Sequence, residues 1–133
     1  MRNLGFLFAP TAAFAMIVPL TAPAQAATET TFTQAAFNDA QHTGKPILVY
    51  ISATWCPTCA AQKPTLTKLF DEPEAKDLLV YHVDFDSQKD VVRAMGARMQ
   101  STLIVFHGEA EKGRSTGDTN PASITALVAK ANQ

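Results

Sequence analysis

From residue 27 onward, the apolar positions of this chain fall into short continuous runs that alternate with stretches of helical period. Ile47-Leu48-Val49-Tyr50-Ile51 has no polar interruption, so Ile47 to Ser52 is predicted as a strand buried on both faces. Leu78 to Phe85 is predicted as the next strand. Thr102 to Phe106, rich in β-branched and aromatic residues, gives a third. Thr28 to Phe32 is expected as a short edge strand. A turn near Gly108 leads to a polar strand around Lys112 to Thr116, also expected at an edge.

Helical patterns fill the gaps. Phe32, Ala36, Phe37 and Ala40 follow the spacing of one helix face, and Gly44-Lys45-Pro46 stops that helix. Ala60 to Phe70 reads as a second helix with Leu66, Leu69 and Phe70 on its apolar stripe. Pro64 lies inside it, where the missing N–H predicts a kink. Ser87 with Asp90 resembles a capping box that opens a helix running to about Met95. Met95 and Met99, one helical turn apart, are expected in the core. Asn120 caps a final helix with Pro121 at its first position and Ile124, Leu127 and Val128 on its buried face. Strand and helix alternate with no internal repeat, which predicts a single α/β domain.

Composition narrows this picture without redirecting it. The chain has 133 residues, 47% of them hydrophobic, and a formal net charge of −1. Lys and Arg are scattered, with no basic patch, so nucleic acid is not expected as a partner. Residues 1–26 have the make-up of a signal peptide. Arg2 charges the start, Leu4 to Leu20 is apolar and uncharged, and Ala24-Gln25-Ala26 offers an A-x-A cleavage site. Pro10 and Pro19 interrupt the apolar run, which is short for a membrane span. Cleavage near Ala26 would leave 27–133 as the folded domain, periplasmic or secreted.

The chemistry gathers at Trp55-Cys56-Pro57-Thr58-Cys59, which contains both cysteines of the chain. A buried strand ends just before this stretch and a helix starts within it. Backbone N–H groups and the positive end of the dipole at a helix N-terminus stabilise a thiolate, which is the nucleophilic form of cysteine. A spacing of three brings the second sulfur round one helical turn, within reach of a disulfide. An exported chain meets an oxidising compartment. However, so small a loop restrains the unfolded chain little, which makes chemistry a better reason for the pair than stability. His42, His82 and His107 do not cluster in sequence.

The order of elements and the Trp-Cys-x-x-Cys site resemble the thioredoxin superfamily over essentially the whole of 27–133. Pro64 lies five residues after Cys59, where that family kinks its active-site helix. Met95-Gly96-Ala97-Arg98 through Phe106 resembles the family's approach to its third core strand, and Gly117 falls near the family's substrate groove. The resemblance implies a thioredoxin fold, a mixed central β-sheet flanked by helices, and thiol–disulfide exchange with protein thiols or disulfides, without a cofactor. It also implies roles for individual residues. Cys56 would be the exposed attacking thiol and Cys59 the buried resolving thiol. Trp55 would shield one side, Pro57 would stiffen the first helical turn, and Thr58 would help to set the potential. Ser101 and Thr102 would line the groove. A membrane electron donor or acceptor is a further expected partner. No insertion suggests a dimerisation arm, so a monomer is expected.

Two positions depart from the family pattern. Ser101 stands where the family places a cis-proline, and a cis bond before a non-proline residue costs about 2.5–4 kcal/mol, so the Gln100–Ser101 bond is expected to be trans. The Ser101 hydroxyl would then either be a tolerated loop group or donate to the Cys56 thiolate. Tyr50 occupies the position of the family's buried acid, and a phenol with a reference pKa of about 10 is a poor substitute. Metal binding remains the alternative function. A thiol pair can take copper, zinc or a shared iron–sulfur cluster, although two thiolates per chain do not close such a site.

Overall fold

The computed structural model describes residues 26–133. The targeting segment expected over residues 1–26 lies, apart from Ala26, outside them. The elements run β1 (Thr28–Thr31), α1 (Gln34–His42), β2 (Pro46–Ser52), α2 (Pro57–Phe70), β3 (Leu79–Asp84), α3 (Lys89–Ala94), β4 (Thr102–His107), β5 (Ala110–Thr116) and α4 (Pro121–Ala129). Single 3₁₀ turns follow α2 at Pro73–Ala75 and α4 at Lys130–Asn132.

The five strands form one mixed sheet in the order β1-β3-β2-β4-β5. β1 and β2 run parallel to β3 on either side of it, β4 is antiparallel to β2, and β5 is antiparallel to β4. The uninterrupted apolar run of β2 therefore sits in the middle, covered on both faces. Leu48 and Tyr50 point into one layer with Val80, Leu103 and Val105, against α2 and α4. Ile47, Val49 and Ile51 point into the other, with Val83, Ile104 and Phe106, against α1. Ile47, Leu48, Val49 and Ile51 are all fully buried, and each such side chain contributes about 1.5–3 kcal/mol through burial. The all-exposed β1 closes one edge, and the polar β5 closes the other.

Several local expectations need correction. Phe32 is not on the face of α1 but just before it. Thr33 is the N-cap, accepting the N–H of Ala36, and Phe32 packs on Phe37 with ring centroids 5.3 Å apart. That is a hydrophobic staple across a helix start. Ser87 does not cap α3. Its hydroxyl and its N–H both donate to Asp84 Oδ1, at 2.8 and 2.7 Å, and Gln88 takes the N-cap position without a side-chain bond. The carboxylate holds the serine in the preceding turn, and α3 starts one residue later than expected. Because α3 ends at Ala94, Met95 packs at the core margin while Met99 is 53% exposed. β5 begins at Ala110, paired with His107, two residues earlier than expected, and a bulge between Val105 and Phe106 shifts its register further along. Pro64 lies inside α2 as expected, and the helix continues past it to Phe70.

Candidate active site

The site forms where the central strand runs out. β2 stops at Ser52, and a turn closed by Cys56 N–H donating to Ala53 O (3.2 Å) reverses the chain into α2. Cys56 is the N-cap of α2, in extended conformation, with Pro57 at the first helical position. The ring of Pro57 fixes a helical φ, and its missing N–H would have had no partner there. Cys56 and Cys59 are joined as a disulfide with Cα atoms 5.3 Å apart. The N–H of Cys59 donates to Cys56 Sγ at 3.0 Å. The sulfur thus occupies the place that a Ser or Asp oxygen takes in an ordinary N-cap, and negative charge developing there meets an oriented N–H and the helix dipole.

The exposed attacking thiol expected from the resemblance is not exposed in the disulfide form. Cys56 is 3% accessible and Cys59 2%. The N-cap bond draws the Cys56 sulfur into the helix end, so the two cysteines differ in position more than in exposure. Cys56 stands outside the helical ladder, and Cys59 lies within its first turn. A cavity of about 120 Å³, bordered by Ser52, Lys63 and Asp84, opens onto both.

Trp55 and Pro57 are exposed and Thr58 is partly buried. Trp55 is 57% accessible, yet its orientation is held by indole Nε1 donating to Asp86 Oδ2 at 2.7 Å. Asp86 is itself placed by its N–H donating to Asp84 Oδ1. Hydrogen bonds from the Ser87 hydroxyl, then from the backbone N–H groups, hold the Asp84 carboxyl below the usual carboxylate range. The result is a fixed apolar plate beside the disulfide.

On the opposite side, Ser101 adopts φ +58, a left-handed backbone in a non-glycine residue, and the described residues contain no cis peptide bond. Such a conformation costs about 1–2 kcal/mol in an L-residue. Its hydroxyl donates to Gln100 O at 2.5 Å rather than to Cys56. Thr102 is 2% accessible, and its hydroxyl donates to Met99 O and pairs with Thr116 Oγ1. Both residues are buried, backbone included, so the surface on this side is that of the preceding Met99 and Gln100. Gln62 organises this side and was missed in the sequence. It is fully buried, and its Nε2 donates to Ser101 O (3.2 Å) and Asp118 O (2.8 Å). A signal was present: Cys59, Gln62, Leu66 and Leu69 form one helical stripe, in which an amide replaces a core apolar residue.

Tyr50 lies beneath Cys59, 3% accessible, and its hydroxyl donates to the Cys59 carbonyl at 3.3 Å. Burial pushes its pKa up to about 12, so it stays a neutral phenol and does not act as the missing acid. Its ring meets the His82 imidazole edge-on at 5.9 Å, and His82 Nε2 lies 2.8 Å from Glu29 Oε2. The raised value has a measurable consequence. Between pH 10 and 12 the unfolded chain ionises this tyrosine while the folded chain does not, so stability falls as pH rises through that window. Tyr81, raised by burial and then by Asp39, adds in the same sense. Tyr50→Phe is therefore expected to reduce, without abolishing, the loss of urea stability between pH 9 and 11.5. An unchanged loss would mean that Tyr50 does not carry it.

Among the described residues no group of three or more His, Cys, Asp or Glu is placed to hold a metal ion. Comparison with known proteins agrees with the geometry. The thioredoxin family model matches residues 27–130. Thioredoxin Asp f 29 of Aspergillus fumigatus is 30% identical over 83 residues, covering 62% of this chain and 74% of its own length. Thioredoxin-2 of Saccharomyces cerevisiae is 32% identical over 85 residues, covering 64% and 79%. The crystal structure of Trxlp from Edwardsiella tarda superimposes with a TM-score of 0.73 at 39% identity, covering 77% of this chain and 98% of that one. With a mixed five-stranded sheet, flanking helices and a Cys-x-x-Cys disulfide at the start of α2, this chain belongs to the thioredoxin family of thiol–disulfide oxidoreductases.

Proposed function

We propose that this protein is exported and works in the periplasm or outside the cell as a monomeric oxidoreductase, exchanging the Cys56–Cys59 pair with protein thiols and disulfides. The observation that carries the reading is the Cys56 sulfur at the N-cap of α2, accepting the N–H of Cys59 at 3.0 Å. In the reducing direction, the Cys56 thiolate attacks a substrate disulfide, forming a mixed disulfide and expelling one substrate thiolate. Cys59, as thiolate, then attacks Cys56 Sγ, closing the internal disulfide and releasing the second substrate thiolate. The protein ends oxidised by two electrons and the substrate reduced by two. In the oxidising direction the same steps run backwards.

Trp55 and Pro57 frame the entrance, and Thr58 sits between the cysteines where it bears on the potential. Met99 and Gln100, which lead into the buried Ser101 and Thr102, form the opposite wall. Tyr50 is neutral and already bonded to a carbonyl, so the Cys59 proton travels through the small cavity bordered by Ser52, Lys63 and Asp84. Export rests on Arg2, the uncharged run from Leu4 to Leu20 and the Ala24-Gln25-Ala26 site. A membrane electron donor or acceptor would reset the pair after each turnover.

The test is a redox titration of residues 27–133 against glutathione buffers, with the two cysteines followed by thiol alkylation. A reversible potential near about −120 mV marks a disulfide donor, and one near about −270 mV a reductant. A pair that does not exchange overturns the reading and redirects attention to metal content after anaerobic purification.

A further inference from the structure

Gln62 is the one fully buried polar side chain of helix α2, and it lies one turn beyond Cys59. Both of its amide hydrogens are directed at backbone carbonyls, Ser101 O and Asp118 O, from two loops distant in sequence. Because both acceptors are carbonyls, only the nitrogen fits there, so the orientation of the amide is forced. Its Oε1 is buried with no partner. Ser101 O also accepts the N–H of Gly117 at 3.0 Å. One amide thus ties the helix bearing the disulfide to the Ser101 loop and to the Gly117–Asp118 turn. Ser101, at the centre of this clamp, has the left-handed backbone, φ +58. A strained residue persists only where its surroundings over-determine it, and such residues cluster at functional sites. A leucine would fill the same stripe without an orphaned oxygen, so packing alone does not account for an amide at this position.

We propose that Gln62 is a positioning residue for polypeptide substrates: it holds the backbone at Ser101 at a fixed height against the Cys56–Cys59 disulfide. The proposal rests on the oxidoreductase reading above. The loop it holds also carries Met99, which with Trp55 makes the pair of exposed large hydrophobic residues among those described. The substrate class is therefore a polypeptide disulfide with apolar flanking residues, laid between Trp55 and the Met99–Gln100 surface that the clamp at Ser101 holds in place. A small disulfide reaches Cys56 without touching that wall and does not sense the clamp.

The experiment compares the unaltered protein with Gln62→Met, which keeps the length and volume and removes both donors, and with Gln62→Glu, which as a buried neutral acid has one O–H donor in place of two N–H donors. Insulin and glutathione disulfide are the two substrates. For both variants the expected result is a KM for insulin raised about tenfold, on the scale of one lost hydrogen bond. Exchange with glutathione disulfide and the midpoint potential should stay unchanged, while amide hydrogen exchange at Gly117 accelerates. An unchanged insulin KM with Gly117 still protected in folded Gln62→Met overturns the proposal. So does an equal loss with both substrates, which would make Gln62 a general support of the site. If the unaltered protein fails to exchange with glutathione, the oxidoreductase reading fails instead, and Gly117 protection still decides the clamp. Should both variants fail to fold, the side-chain amide hydrogens of Gln62 in the unaltered protein decide. Slow exchange supports the clamp, and fast exchange overturns it.

Discussion

Cys56→Ser is expected to lower disulfide exchange by at least about 10³-fold, the scale on which removal of a nucleophile acts. The serine would still cap α2, since its hydroxyl can accept the Cys59 N–H as the sulfur does, so the fold should survive. Loss of activity is then chemical rather than structural. Cys59→Ser separates the two steps. Cys56 would still attack, but nothing would resolve the product, and a stable mixed disulfide should accumulate in a single turnover. Intact-protein mass spectrometry distinguishes the two variants: a covalent adduct with Cys59→Ser and none with Cys56→Ser. The reverse pattern would exchange the assigned roles. This matters because exposure does not rank the cysteines, at 3% and 2% in the disulfide form. Position in the helix does.

Ser101→Pro should be the most disruptive change away from the cysteines. Proline fixes φ near −65°, whereas Ser101 sits at +58°, so the loop has to be rebuilt. Rebuilding would displace the carbonyl that accepts both Gln62 Nε2 and Gly117 N–H. The expected loss is about 2–3 kcal/mol, from backbone incompatibility and a buried donor left unpaired. In a domain of this size that lowers Tm by about 10 °C or more. Ser101→Gly is the control, since glycine adopts positive φ without steric penalty. It should keep stability within about 1 kcal/mol of the original, relief of strain offsetting added freedom in the unfolded chain. Equal stability of the proline and glycine variants would show that the left-handed backbone is not what the loop depends on. The comparison also bears on function, because a displaced Ser101 carbonyl should weaken exchange with protein substrates as the Gln62 variants do.

The uncharged run of β2, the β-branched β4 and the helical stripes of α2 and α4 were legible because periodicity is local. A buried strand or amphipathic helix is written in residues a few positions apart. The same holds for the cysteine pair. Its spacing, the strand before it and the proline after Cys56 together placed a sulfur at a helix N-terminus, and the structure has it there. The start of α3 failed for an equally physical reason. Ser87 is held by the Asp84 carboxylate in the turn before the helix, a side-chain contact that a capping pattern does not reveal. Met99 followed a helical spacing past the point where the helix stopped.

By itself, then, the sequence determined the alternation of elements, the central strand and the redox-competent position of Cys56 and Cys59, all of which depend on neighbours within a turn or two. Tertiary structure decided what surrounds the disulfide. Trp55 is oriented by Asp86, 31 residues away, and Gln62 reaches Ser101 and Asp118 across 39 and 56 residues. The Tyr50 ring packs on His82, which in turn meets Glu29 across the sheet. None of these pairings leaves a periodic trace, because each arises only when separate elements are packed together and buried polar groups must find partners. The left-handed Ser101 is of the same kind. No local preference of serine selects that backbone, and two donors from distant parts of the chain hold its carbonyl in place.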